Sequence, residues 1–218
     1  METREAIYKR QSIRHFKDQA IQQTVLEEIV KDAQRAPSWA NSQPGHVYVA
    51  IGSTLKEIKK RHLEKSQQGA SGNSDLETTH RNTWSVEAQT NMENWSRFVS
   101  QRLQEEHSPV FAFQDAQFNL FNSAAIAYLT LPQNANGWSL YDLGAFGQTL
   151  MLSAIDRGIQ SMPAYELVKY PKDLRETMGI PSSEMIVMGI GLGFPDGSGI
   201  NQIYTKRNEI DKILTIKK

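Results

Sequence analysis

Two short runs of uninterrupted apolar residues constrain the fold of this chain more than any other feature. Ser123–Leu131 is followed by Pro132, and Met185–Leu192 is followed by Gly193. Both runs are far shorter than the roughly 20 residues of a membrane span. A continuous apolar run of this length is typical of a strand that is buried on both faces. The sequence therefore predicts a sheet with two central strands that are covered on both sides.

Helices are predicted around these strands, and they outnumber the strands in the middle of the chain. Thr24 and Glu27 form a capping box that predicts the start of a helix ending before Pro37. Apolar periodicity predicts further helices near 55–63, 75–107, 140–158, 172–178 and 208–214, and extended segments predict strands at 47–51 and 161–165. Because the alternation is uneven, we predict an α+β fold, with helices around a small sheet, in a single domain spanning 1–218.

The segment 67–107 is more polar than the rest of the chain. Gln67–Ser74 is rich in Gly, Ser and Gln, which predicts a flexible loop. Asp75–His107 is predicted to be a helical excursion, since apolar residues recur at helical spacing: Trp84, Ala88, Met92, Trp95, Val99 and Leu103. This stripe suits packing on the core or on a second subunit, and equally a surface that contacts a ligand.

Composition excludes several kinds of site and partner. The 24 basic and 24 acidic residues give a formal net charge of zero, so no overall charge favours nucleic acid or an anionic membrane. The chain has no cysteine, which excludes disulfides, thiolate nucleophiles and Cys-type zinc sites. Met1–Arg4 opens the chain without an apolar segment, and we expect a soluble cytoplasmic protein.

The sequence contains no complete motif for catalysis by protein side chains or by a bound metal. Gly189–Gly193 superficially resembles a dinucleotide-binding loop, but the turn Phe194–Gly197 follows where a helix is required. The five histidines form no helical metal pair, and paired carboxylates fall on predicted helix surfaces. We therefore expect no catalytic side chain and no metal, so that a bound cofactor would carry any redox chemistry.

Two segments suggest recognition of a cofactor. Lys9–Arg14 contains Arg10, Ser12 and Arg14, which would point the same way in an extended chain. Two guanidinium groups and a hydroxyl suit a phosphate, although a solvated basic helix end is the alternative. Ala36–Pro44 places amides and a tryptophan between two prolines, and such side chains can contact the edge and face of a heteroaromatic ring.

Two more segments carry weaker signals. Ser161–Glu166 is a short extended segment that could lie along a flat ligand, or could simply connect a helix to a strand. Lys206 and Arg207 form a second cationic spot near the other end of the chain.

Taken together and in this order, these segments resemble the FMN-dependent nitroreductase family of NAD(P)H-dependent flavin oxidoreductases. Lys9–Phe16 looks like the opening phosphate motif of the family, and Ala36–Pro44 looks like its second motif. Tyr141 through Pro163 is similar to its central helix and the flavin-contact segment that follows. Gly189–Pro195, with Asn201 and Arg207, resembles its ending. Gly45 departs from the aromatic residue of many members, and Asn122–Ala125 departs from their Ala-Pro pair.

The resemblance implies a three-layer sandwich with a central, mainly antiparallel sheet. It also implies an intertwined homodimer, with FMN bound at the interface and the tail 195–218 embracing the partner. NADH or NADPH would be the co-substrate for the ping-pong hydride reduction of nitroaromatic, quinone or related electron-poor acceptors. A dehalogenase or oxidase of the same fold, or a non-catalytic flavin-binding redox module, remains open as an alternative.

The resemblance also assigns site residues. Its implied flavin contacts are Arg10, Gln11, Ser12, Arg14, Pro37, Ser38, Trp39, Asn41, Gln43, Pro163, Ala164, Tyr165, Glu166 and Arg207. Arg10, Ser12, Arg14 and Arg207 would hold the phosphate and ribityl end, and the backbone of 163–166 would run along the ring. The aromatic excursion predicts an acceptor pocket with Phe118 and Phe121, although dimer packing would equally explain its stripe.

Overall fold

A computed structural model describes residues 1–109 and 111–218. These residues form an antiparallel sheet in the order β1-β2-β4-β3, with β1 at His46–Ala50, β2 at Ala125–Pro132, β3 at Gln160–Ala164 and β4 at Glu184–Gly193. Its α-helices are α1 (Thr3–Lys9), α2 (Gln23–Ala33), α3 (Gly52–Gln67), α4 (Val86–Glu105), α5 (Ala112–Phe118), α6 (Gly137–Asp156) and α7 (Pro171–Met178). Of the helices described, none combines the length and hydropathy that crossing a membrane requires.

The two apolar runs are the two central strands, and side-chain alternation along them creates three layers. On β2, Ala127 and Leu129 join a core with α2 and α6, whereas Ile126 and Tyr128 join a core with α3, α5 and α7. Residues 125–131 of β2 are all buried, because helices cover both faces of the strand. The predicted α+β fold with a central antiparallel sheet is therefore confirmed.

The predicted start of α2 is wrong. The helix begins at Gln23, one residue before the predicted cap, and Gln22 occupies the N-cap without a side-chain hydrogen bond. Thr24 thus lies inside the helix, and Glu27 receives a hydrogen bond at 2.8 Å from the amide of Gln23 instead. Helix α1 was not predicted, since Ala6 is its one buried residue in the described chain and leaves no apolar pattern.

The polar excursion is only partly helical. Helix α4 begins at Val86, so the prediction of helix from Asp75 onward is wrong for its first part. The carboxylate of Asp75 explains the difference, because it accepts hydrogen bonds from the Arg175 guanidinium at 2.7 Å and the backbone N of Ile186 at 2.8 Å. Near the end of the chain, the helix predicted at 208–214 is a single 3₁₀ turn, Ile210–Lys212.

Alternate glycines on β4 let two functional segments approach the sheet. A Cβ on Gly189 would lie 2.5 Å from Cβ of Leu167, and a Cβ on Gly193 would lie 2.7 Å from the Phe16 ring. The glycine-rich run that failed as a nucleotide loop therefore serves close packing within a strand. It brings the segments 12–16 and 163–168 onto the same strand.

Candidate functional site

The basic segment after α1 is extended, and it lies beside β3. Ser12 forms a parallel bridge with Ser161, and the backbone N of Ile13 donates to the Ser161 carbonyl at 3.0 Å. Ile13 is buried in the core and fixes the register of this segment. The structure thus places the first predicted motif against the strand that carries Pro163 and Ala164.

Arg14 is a buried guanidinium that lacks a counter-ion. The side chain is 4% exposed, donates to the Ser12 carbonyl at 3.1 Å and lies 5.7 Å from the centroid of the Phe113 ring. No carboxylate of the described residues forms a salt bridge with it, and its Nε has no hydrogen-bond partner there. Burial lowers the pKa of Arg14 to about 10, because it disfavours the charged form. This site therefore favours an anion that the chain itself does not supply.

Arg10 and Arg207, which lie near the two ends of the chain, are within electrostatic reach of each other. Arg10 is half-buried, and burial lowers the pKa of its guanidinium. The positive charge of Arg207 lowers the pKa of Arg10 further, which places the two guanidinium groups within electrostatic reach. Arg207 donates to the carbonyl and hydroxyl of Thr205 at 3.1 and 2.8 Å, within its own segment. A bound anion would stabilise this pair of like charges.

Unpaired polar atoms next to these cations fit a phosphorylated, hydrogen-bonding ligand such as FMN. Oε1 of Gln11, Nε of Arg14 and Oγ of Ser161 are buried without a hydrogen-bond partner in the described structure. Buried polar groups are normally paired, so these atoms mark a place where a ligand completes the hydrogen bonding. The donors and the acceptor match a phosphate and the hydroxyl or imide groups of a flavin.

In the third predicted segment, the carboxylate of Glu166 is already paired within the chain, so the backbone is the expected contact with a ligand. Pro163 and Ala164 end β3, and Tyr165 is 40% exposed in the 3₁₀ turn that follows. Oε1 of Glu166 lies 3.3 Å from Nε2 of His62 and 2.8 Å from Nζ of Lys169. Burial favours the neutral acid, but hydrogen bonds from His62 and Lys169 outweigh burial and lower the pKa of Glu166.

The second motif forms a separate, left-handed loop. Ala40, Asn41 and Gln43 have φ angles of 50°, 56° and 45°, a region that non-glycine residues rarely adopt. The backbone N of Gln43 donates to Oγ of Ser38 at 3.0 Å, and its side-chain amide donates to Oδ1 of Asn41 at 3.1 Å. The loop borders a cavity of about 320 Å³ between α2 and α6.

This loop is attached to α6 and not to the cationic cluster. The backbone N of Trp39 donates to Oδ2 of Asp142 at 2.9 Å, and the Trp39 ring stacks on Trp138 with centroids 6.4 Å apart. Within the described chain, the loop forms no hydrogen bond with the arginine-bearing segments. The site residues therefore fall into two half-sites: the cluster around Arg14 and the loop 37–43.

One predicted acceptor residue is misplaced. Phe121 is 1% exposed and packs in the core, so its ring has no surface to offer a ligand, and its assignment to a pocket is wrong on steric grounds. Phe118 is half-buried at the end of α5. The stripe of α4 packs partly on the core through Trp95, Val99 and Leu103, which favours the packing interpretation.

Sequence reasoning gave no role to two polar residues that hold these segments in place. Oδ1 of Asn201 accepts from the backbone N of Arg14 at 2.8 Å and of His15 at 3.1 Å, and its amide donates to the His15 carbonyl at 2.7 Å. Asn201 was named only through the family resemblance, and its role did not follow from the sequence because its partners Arg14 and His15 lie almost the full chain length away. Asp142 had a usable signal, since it is a buried carboxylate near the start of the most apolar helix, whereas Asp156, the other carboxylate of that helix, is its last residue.

Comparison with known proteins agrees with this geometry. The family model described as "Nitroreductase family" matches residues 7–194. A 4-nitrobenzoate reductase of Nocardioides sp. (strain LMS-CY) is 24% identical over 94% of this chain and 86% of its own length, and a chloronitrobenzene nitroreductase of Comamonas testosteroni is 24% identical over 96% and 94%. The crystal structure of the FMN-dependent nitroreductase NfnB from Mycobacterium smegmatis, in complex with NADPH, superposes with a TM-score of 0.89 at 20% identity, covering 99% and 97% of the two chains. The chain therefore belongs to the nitroreductase family.

Proposed function

We propose that this protein is an FMN-dependent oxidoreductase that uses NADPH or NADH to reduce nitroaromatic, quinone or related electron-poor acceptors. The observation that carries the proposal is the buried Arg14, which forms no salt bridge among the described residues and lies in the same segment as Arg10, whose pKa the charge of Arg207 lowers. Family membership and relatives that are named as reductases of nitroaromatic compounds support the same reaction class.

The chain's own residues bind and orient the cofactor. Arg10, Arg14 and Arg207 hold its phosphate end, assisted by Ser12 and Gln11. Backbone groups of 163–166 face the polar edge of the ring, and the loop 37–43 completes the site. FMN supplies the hydride and electron transfer when it is bound. We accordingly expect no single side chain to act as an essential acid or base.

The exposed surface of the isolated chain supports a homodimer. The chain exposes 13437 Å². A compact monomer of this mass is expected to expose about 10,100 Å², roughly 3,300 Å² less. An excess of this size is typical of a subunit that wraps around a partner. A dimer also explains how the loop of one protomer could complete the cationic cluster of the other.

The tail and the outer edge of the sheet are complementary in chemistry. Ile210, Ile213 and Ile216 of the tail are 65%, 71% and 73% exposed. Edge strand β1 and helix α2 border an open groove with apolar walls that include Val47 and Val49. We propose that the tail of each protomer lies in this groove of its partner. A chain without cysteines suits the reducing cytoplasm, which is the compartment that we propose.

The activity test compares wild type with two arginine variants. Purified protein is loaded with FMN, and NADPH consumption is followed with a nitroaromatic and with a quinone. We expect oxidation that depends on both FMN and an acceptor. Arg10→Met should weaken FMN binding by about tenfold or more. The matched control is Arg61→Met, since Arg61 pairs with Glu57 and Glu176 on the surface.

Two outcomes would count against the proposal. If the FMN-loaded protein consumed no NADPH when either the nitroaromatic or the quinone was added, it would be a flavin-binding module instead of a reductase. Equal FMN affinity in Arg10→Met and Arg61→Met would show that Arg10 does not contribute to FMN binding. Phe118 remains our proposed acceptor contact, since its ring is partly accessible at the end of α5.

A further inference from the structure

The loop 37–43 holds a backbone conformation that it cannot maintain by itself. Ala40 has a left-handed φ of 50°, which is unfavourable for a residue with a Cβ, and its side chain can form no hydrogen bond to offset this. Asn41 and Gln43 also have left-handed φ angles. Most of the loop's side chains are exposed, so core packing does not fix it. Strained segments of this kind persist only where the surrounding structure determines them. Hydrogen bonds within the loop, such as that from the backbone N of Gln43 to Oγ of Ser38, are therefore expected to need support from a contact outside it.

Asp142 provides that contact. Its side chain is buried, with the residue 8% exposed, in the second turn of α6, and Oδ2 accepts from the backbone N of Trp39 at 2.9 Å. Among the described residues, no basic group forms a salt bridge with this carboxylate. A buried carboxylate without a cation is unfavourable on an apolar helix, so the charge-assisted hydrogen bond to Trp39 is its main compensation.

Helix α6 makes a second contact with Trp39, through Trp138. Trp138 and Asp142 are four residues apart and therefore lie on one face of the helix. Asp142 binds the backbone of Trp39, while the Trp138 ring stacks on the Trp39 ring at 6.4 Å with planes 28° apart. The loop enters its left-handed turn at the next residue, Ala40.

We propose that Asp142 is a positioning residue for the flavin, acting through the loop. Its carboxylate fixes the entry of the left-handed turn, so that Ser38, Asn41 and Gln43 keep the orientation in which they meet the cofactor. The proposal rests on the proposed FMN function. In this proposal Asp142 acts on the loop and not on the cofactor itself.

The test uses full-length Asp142→Ala and Asp142→Asn proteins. FMN affinity is measured by flavin fluorescence, and the Trp39–Trp138 pair is followed by circular dichroism. We expect Asp142→Ala to lose the tryptophan signal and to bind FMN about tenfold more weakly or worse, the size of one hydrogen bond to a charged acceptor. Asp142→Asn keeps an acceptor oxygen and should remain within about threefold of wild type.

Ser153→Ala is the matched control on the same helix. Ser153 donates to Oδ2 of Asp32 at 2.7 Å and joins α6 to α2. Its removal should lower stability while FMN affinity and the tryptophan signal stay unchanged. A role of Asp142 in general stability alone would make Asp142→Ala behave like this control.

Several results would overturn the proposal. The first is an FMN affinity of Asp142→Ala that equals that of wild type. The second is an FMN affinity of Asp142→Asn that is as low as that of Asp142→Ala. If Asp142→Ala fails to fold, Trp138→Leu is the deciding variant. Unchanged FMN affinity in Trp138→Leu would show that the contact between α6 and the loop does not affect FMN binding. If wild type binds no FMN, the proposed function fails, but the tryptophan signal still reports whether Asp142 holds the loop.

Discussion

At the scale of single residues, Arg14 shows how a binding site can oppose stability. Burial lowers the pKa of its guanidinium to about 10, so the unfolded chain holds this proton more tightly than the folded chain. The destabilising contribution is therefore complete below pH 10 and fades as pH rises above the lowered pKa. A bound anion would offset it at neutral pH.

We predict that Arg14→Met stabilises the flavin-free protein and weakens its cofactor binding. Removing a buried charge without a partner should raise the free energy of unfolding by about 1–3 kcal/mol. FMN affinity should fall by about tenfold or more, because the phosphate loses a charged donor. Urea unfolding and an FMN titration measure the two effects separately. A variant that is less stable than wild type without flavin would contradict this account of Arg14.

Sequence patterns could not reveal the hydrogen bonds by which Asp142 and Asn201 hold distant segments in place. Asp142 and Asn201 each act on a segment distant in sequence, and their spacing to that segment carries no information. Phe121 was misassigned for a related reason, since aromatic residues suit cores and pockets equally well. Its positive φ of 59° turns the chain at this point, and no periodicity predicts such a turn.

At the scale of elements, burial decided which parts of the fold could be predicted. β2, β4 and α6 lie in the middle of the molecule, so their apolar runs mark them plainly. α1 and the start of α2 lie at the surface, where sequence pattern is weak and local hydrogen bonds decide the boundaries. The polar stretch after Gln67 is irregular up to α4, because Asp75 pairs with β4 and α7.

Pairing between the first basic segment and the region after β4 holds the site together at this scale. Phe16 bridges Pro195, and Nδ1 of His15 lies 2.6 Å from Oδ2 of Asp196. Burial would raise the pKa of Asp196, but hydrogen bonds from Ser198, and then from His15, lower it instead. The ionised carboxylate therefore stabilises the fold.

We predict a pH-dependent loss of stability in Asp196→Asn. Because the pKa of Asp196 is lower in the folded chain, its contribution is present above the usual carboxyl pKa and disappears as pH falls through the lowered pKa. The variant should be less stable than wild type by about 1 kcal/mol at pH 7, and the difference should vanish in acid. Thermal unfolding at several pH values measures this, and a difference that grows in acid would contradict it.

At the scale of the whole molecule, the surface of the chain supports the proposed dimer. The tail exposes several isoleucines, and the edge of β1 leaves an apolar groove open. The proposed arrangement was expected only from the family resemblance, because a tail that folded on another subunit would leave no contacts within its own chain to produce a pattern.

We predict that Ile213→Asp combined with Leu214→Asp converts the protein to a monomer. Both side chains are exposed in the single chain, at 71% and 51%, so the folded protomer itself should be unaffected. Burying two charges in an apolar groove is strongly unfavourable, and the dimer should dissociate. Sedimentation measures the assembly, with Lys217→Ser as the control. A dimer that survives the double substitution would place the interface elsewhere.

The central claim is that the two arginine-bearing ends of the chain bind the phosphate of FMN. Comparing the affinities of FMN and riboflavin tests it most directly, since the two ligands differ only in that phosphate. We predict that the wild-type protein binds FMN at least about 100-fold more tightly than riboflavin, and that Arg10→Met and Arg207→Met narrow the difference. Equal affinity for the two flavins, or no affinity for either, would contradict the account.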